Sequence, residues 1–160
     1  MFISLGLPDS LFGVSWPVVH NDFMIPESFA SLYSIITGVC SGGVAFIAGK
    51  VIRKFGTPLV TFFSTLLTVI GLIGISLSPN IVVMMFFTVV MSYGAGAIDT
   101  ALNNFIALHY EARHMSWLHC FWGVGASVSP YIMSYCISAK NSWESGYRAV
   151  SIIQFVLTAA

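Results

Sequence analysis

Charge is what this sequence has least of. Of 160 residues, six are Lys or Arg and six are Asp or Glu, so charged side chains make up 8% and the formal net charge is zero. A soluble domain carries roughly 25% charged residues, and a chain this poor in charge cannot clothe itself in a polar surface. The six cations stand at the ends of apolar runs rather than in one patch, which excludes nucleic acid as a partner.

Cysteine is scarce as well. Cys40, Cys120 and Cys136 all fall inside apolar runs with no C-x-x-C spacing, so they read as small hydrophobes rather than disulfides or metal ligands. "HYEARH" is only superficially a zinc motif: His109 and His114 are five residues apart and Glu111 is misplaced, so the two imidazoles do not share a helix face. No nucleophile stands in a recognisable pattern with a base, and neither catalysis nor a cofactor or metal is expected. A leading basic region and a small-residue cleavage site are also absent, so a cleaved signal peptide is not expected.

Apolar sequence is abundant. The hydrophobic share is 57% and the mean hydropathy +0.89. With about 20 apolar residues needed per helical span, the pattern predicts an all-α membrane protein, a half bundle of five complete transmembrane helices and part of a sixth. The spans are expected at residues 2–20, 28–49, 58–77, 81–108, 117–138 and 149–160, the last cut short, all in one unit covering 1–160. Lys50, Arg53, Lys54 and Arg113 fall in the loops after the second and fourth spans, against Lys140 and Arg148 after the fifth, which favours a cytoplasmic N-terminus. Gly38 and Gly42 in the second span, and Gly123 and Ser127 in the fifth, have the small-xxx-small spacing of close helix contacts. Pro130 is expected to kink the fifth span, as a hinge or as a plain bend.

Two acids lie in the spans, Asp9 and Asp99, while the other four lie in loops. A charge at mid-membrane costs at least ~2.5 to 3.5 kcal/mol on insertion scales, so each should face a bundle interior or a wet cavity, as a functional group or as glue between helices. Asp99 shares a helix face with Asn103 at i, i+4. Asp9, Phe12, Trp16 and His20 form a stripe on the first span, which suits a polar, ring-shaped solute, or else an interfacial aromatic and a loop residue. His119 and Trp122 are i, i+3 at the start of the fifth span and can face the same cavity.

The order of helices, the short basic loop after the second and the stretch "DTALNNFIALHYEARHMSWLHCFWGVGASVSP" resemble the N-terminal half of major facilitator superfamily transporters, closest to the fucose, glucose and proton symporter branch. The resemblance runs over nearly the whole chain. Asp99, Thr100, Ala101, Asn103 and Phe105 match an acid-Thr-Ala-x-Asn-x-Phe pattern whose acid, usually Glu, takes part in proton coupling. In the loop motif after helix 2, Gly49 and Gly56 fit, whereas Arg53 stands where the family has Asp. The resemblance implies two inverted three-helix repeats with the substrate site between them and between two halves. The two acids fall on the helices that open the two repeats.

The function this implies is proton-coupled secondary transport of a sugar or similar small polar solute by alternating access, in the cell membrane. Asp99 and Asp9 are then the proton-coupling candidates, and Asn103, Trp16, His119 and Trp122 the substrate-binding ones. The partners are solute, protons, the lipid bilayer and a missing C-terminal half or second copy. The alternatives are a drug-type exporter of the same superfamily, for which Met84, Met85 and Met91 would supply a soft surface, and a truncated chain without transport of its own.

Overall fold

The computed structural model describes residues 2–140 and 142–159. Among these the chain forms seven helices and no strand: α1 (Phe2–Asp9), α2 (Leu11–Asp22), α3 (Phe29–Phe55), α4 (Thr57–Ser76), α5 (Ile81–His109), α6 (Ala112–Lys140) and α7 (Trp143–Ala159). By length and composition α3, α4 and α5 are long and apolar enough to cross a membrane. The other helices fall short of that measure for different reasons. The α1–α2 rod is interrupted, α6 has 29 residues but is rich in Ser, His and aromatic side chains, and α7 has 17 residues.

The boundaries differ from the expected ones in instructive places. A single helix over 2–20 was expected, and the structure instead breaks the rod at Ser10, whose φ of −98° and ψ of −3° keep it right-handed. Pro8 and Pro17 flank the break, and neither has an N–H for the helical ladder. Only Ser10 separates the two helices.

The expected basic loop after residue 49 is helical through Phe55, so Lys50, Arg53 and Lys54 ride on the last turns of α3, where cations suit the helix dipole. Gly56 alone makes the turn. Its φ of +81° lies where L side chains are strained, and Pro58 then starts α4. Asn80 caps α5 by accepting a 3.0 Å hydrogen bond from the Val83 N–H.

The last helix begins at Trp143, six residues ahead of the expected 149; Ala160, the end of the expected span, lies outside the described residues. Ser142 accepts from the Ser145 N–H at 3.2 Å, and Glu144 sits in the first turn, where the helix dipole favours an acid. Trp143, Tyr147, Val150 and Gln154 then form a buried stripe at helical spacing. Trp143 also donates through Nε1 to the Asp22 carboxylate at 2.7 Å, tying the start of α7 to the end of α2.

In the bundle α4 lies between α5 and α7, α1 packs on α6, and α3 packs on α5. The main core joins Leu11, Val19, Leu72, Met84, Met133 and Tyr147. Close approaches fall on glycines other than the expected small-xxx-small sets. A Cβ at Gly38, Gly42 or Gly123 would meet nothing within 4 Å, whereas Gly71 is pressed on Met91, Gly94 on Thr68 and Gly96 on Ser41. The buried hydroxyls of Thr65, Thr68, Thr88 and Ser92 donate to carbonyls of their own helices, which lets polar residues sit in the bundle.

Candidate functional site

Asp9 is the last residue of α1, and Asp99 stands in the second half of α5. Gly6, one turn before Asp9, lets α1 lie against the α6 backbone at Trp122 and Ala126. Gly96, one turn before Asp99, lets α5 lie against the α3 backbone at Ser41. With both helices drawn in, the two acids line one cavity of about 320 Å³ together with Ser41, Gly42, Thr100 and Trp122.

Each carboxylate holds one neutral donor. The Trp122 indole N–H donates to Asp9 Oδ2 at 2.9 Å, across the α1–α6 contact. The Asn103 amide donates to Asp99 Oδ1 at 2.9 Å, within α5. Asp9 is thus tied to a neighbouring helix and Asp99 only to its own. None of the six Lys and Arg residues lines this cavity.

Two further cavities share its walls. One of about 360 Å³ is bounded by Asp9, Asp99, Leu118, His119 and Trp122. Another, of about 120 Å³, runs from Asp9 past Tyr33, Thr37, Ser41 and Ser92. Asp9 belongs to all three.

Four of the residues singled out from the sequence, Asp9, Asp99, His119 and Trp122, therefore meet on these walls. Asn103 reaches the site only through Asp99, and its own Oδ1 is buried without a hydrogen-bond partner. Trp16 is not brought in. It is 8% exposed, packed in the core with its ring 5.0 Å from Phe12 and 6.0 Å from His20. The expected stripe bends away from the cavity because Phe12 stacks on Tyr33 at 3.5 Å instead of facing the opening. His20 lies 3.9 Å from Glu27 at the end of α2. His109 and His114 turn their rings to different carbonyls, those of Phe105 and Glu111.

The sequence reading passed over the hydroxyl residues of the wall. Thr37 and Ser41 are i, i+4 on α3, and Ser92, Gly96 and Thr100 follow the same step on α5, so a polar stripe on each helix was there to be found. Met84 is buried between helices at 0% exposure, Met91 at 6% edges the Tyr33 recess, and Met85 is half-buried.

Comparison with known proteins gives the family. The family model described as Major Facilitator Superfamily matches residues 1–160. The chain is similar to "Putative metabolite transport protein YwtG" of Bacillus subtilis (strain 168), with 28% identity over 115 residues, which is 69% of this chain and 24% of that protein. It is also similar to "Putative transporter svop-1" of Caenorhabditis elegans, with 25% identity over 100 residues, 61% of this chain and 19% of that one. The matched stretch thus spans a quarter or less of the length of these relatives.

Proposed function

This chain belongs to the major facilitator superfamily, and on that premise we propose that it is the N-terminal half of a proton-coupled secondary transporter for a small polar solute, of the sugar-carrying kind. The observation that carries the reading is the placement of Asp9 and Asp99, from two different helices, on one cavity wall that has no cation. In lipid such charges are costly, and carriers keep them where water or a solute reaches them. Burial disfavours the charged form of a carboxylate, so an acid alternately wetted and dried binds and releases a proton. Alternating access supplies that cycle.

The proposed architecture is five complete spans and a sixth, with the α1–α2 rod counted as one broken span of the kind that lines transporter cavities. The opposing wall of the cavity comes from a C-terminal half or a second copy, the N-terminus is cytoplasmic, and the membrane is the cell membrane. Asp99 is the proton-coupling acid, with Asp9 beside it and Asn103 holding the Asp99 carboxylate, and the solute is held by Trp122 and His119. Against the drug-exporter alternative, which looks to Met84, Met85 and Met91, no methionine lines the two cavities that both acids border.

The test is accumulation of a labelled sugar in vesicles bearing the complete carrier, with and without an imposed pH difference. Uptake against the solute gradient only when the pH difference is present supports the reading. Accumulation indifferent to pH rejects proton coupling.

A further inference from the structure

The cavity wall is made of acceptors. The Ser41 hydroxyl donates to the Thr37 carbonyl at 2.8 Å, and Thr100 to the Gly96 carbonyl at 2.8 Å. Thr37 donates to the Ser34 carbonyl at 3.0 Å, and Ser92 to the Thr88 carbonyl at 2.8 Å. The Trp122 N–H is held by Asp9. Each of these side-chain hydrogens is already engaged within the protein. What the serine and threonine hydroxyls turn to the two cavities around Asp9 is lone pairs.

Two carboxylates add further acceptor sites and two negative charges, and no Lys or Arg stands on either wall to balance them. A solute rich in acceptors, such as a carboxylate or phosphate, finds the Ser, Thr and Trp hydrogens already engaged there and meets like charge. A neutral polyol matches in part, since each of its hydroxyls donates once. An ammonium group has three donors, no acceptor and the opposite charge, and Trp122 offers it an aromatic ring on the same wall.

Resting on the reading of this cavity as the solute site, we propose that the solute is a small hydroxyl-bearing amine, an amino sugar or similar polyol, whose ammonium group binds at Asp9 while its hydroxyls donate into the Tyr33, Thr37, Ser41 and Ser92 recess. Asp9 takes the ammonium because it alone borders both the large cavity and the recess, whereas Asp99 borders only the former. Asp99 is left to carry the proton.

The experiment is equilibrium binding to the complete carrier in lipid nanodiscs, read by tryptophan fluorescence, with four probes of one ring shape: glucosamine, glucose, N-acetylglucosamine and glucuronate. Glucosamine is expected to bind at least about tenfold more tightly than glucose or N-acetylglucosamine, the scale of one charge-assisted hydrogen bond, and glucuronate not at all. Asp9→Asn should erase the preference and leave glucosamine no better than glucose, whereas Asp99→Asn should keep it. A monodisperse Asp9→Asn protein that still prefers glucosamine overturns the proposal. Equal or tighter binding of glucose to the unaltered carrier also overturns it, while leaving the sugar-carrier reading intact. Silence of all four probes rejects both.

Discussion

Gly6 and Gly96 each stand three residues before a cavity-lining acid, and each is pressed onto the backbone of a neighbouring helix: Gly6 on Trp122 and Ala126 of α6, Gly96 on Ser41 of α3. The segments "GLPD" and "GAID" thus do the same job on the opening helices of the two expected repeats, setting an acid one turn beyond a close crossing. A side chain at either glycine meets main-chain atoms that have no room to move. Gly6→Val and Gly96→Val are expected to lower stability by about 1 to 3 kcal/mol or to prevent assembly. Gly13→Ala and Gly123→Ala, where an added Cβ meets nothing within 4 Å, should leave the bundle intact. Thermal unfolding in detergent, followed by size-exclusion recovery, separates the two sets; equal losses in both would refute this account of the packing.

Asp99 gives the second prediction. Asp99→Asn keeps the size of the side chain and a partner for the Asn103 amide, but cannot carry a proton. Accumulation driven by a pH difference should be lost while solute binding survives. Asp99→Glu should retain part of the coupling, in keeping with the Glu of the related pattern. Vesicle uptake by the complete carrier measures both, and full accumulation with Asn would show that Asp99 is only a link between helical turns.

The tie between Trp143 and Asp22 gives the third. Trp143→Phe removes the indole N–H but keeps most of the apolar contact with Phe23 and Tyr147. A hydrogen bond to a charged group is worth about 1.5 to 3 kcal/mol, and the exposed Asp22 places this one at the low end. Trp143→Ala, at a site 1% exposed, should cost about 3 to 5 kcal/mol. Chemical denaturation in mixed micelles should rank the two in that order, and a Phe variant as damaging as Ala would locate the effect in the hydrogen bond alone.

Orientation gives the fourth. With Lys50, Arg53 and Lys54 at the end of α3, the turn at Gly56 is expected to face the cytoplasm. A cysteine at Thr57, in a background without Cys40, Cys120 and Cys136, should react with a membrane-impermeant maleimide only after cells are opened. Labelling of intact cells would invert the assignment.

The fifth concerns the chain by itself. The matched stretch spans a quarter or less of the length of its relatives, and on the proposed reading the opposing wall of the cavity comes from elsewhere. Vesicles holding only residues 1–160 should contain inserted protein and show no uphill uptake. Strong uptake would mean that these residues, singly or as a dimer, complete the site.

How much of this was legible in the sequence depended on whether the signal was local. Helices α3, α4 and α5 are built on long apolar runs with Gly56 and "SPN" between them, so their presence is plain in the letters, though not the end of α3. The start of α7 is not, because "NSWESGYR" is polar by composition; its cap at Ser142 and its stripe from Trp143 to Gln154 gain meaning only with Asp22 and Thr68 across from them. The break at Ser10 is hidden for a similar reason, since a proline near the start of a helix reads the same whether the rod goes on or loosens. Asp9 and Asp99 stood out at once as acids in apolar surroundings. The donor to Asp9 lies 113 residues away, and nothing near Asp9 announces Trp122. Trp16 misled because helical spacing shows which residues share a face and not which way that face turns.

The pairing of α3 with α5 and of α1 with α6 also sets a timetable for synthesis. Each early helix waits for a partner made well after it, since α3 is only weakly held by α4 and α1 only weakly by α5. During translation α3 must therefore rest in lipid, with Ser41 lacking the Gly96 backbone that later presses on it, until α5 is threaded in. Its charges are confined to its last turns, which makes that wait tolerable. For the α1–α2 rod, with Asp9 at its break, the wait is harsher: the carboxylate has no indole to hold until α6 arrives. The nascent rod is best sheltered at the insertion machinery until more than 120 residues have been made.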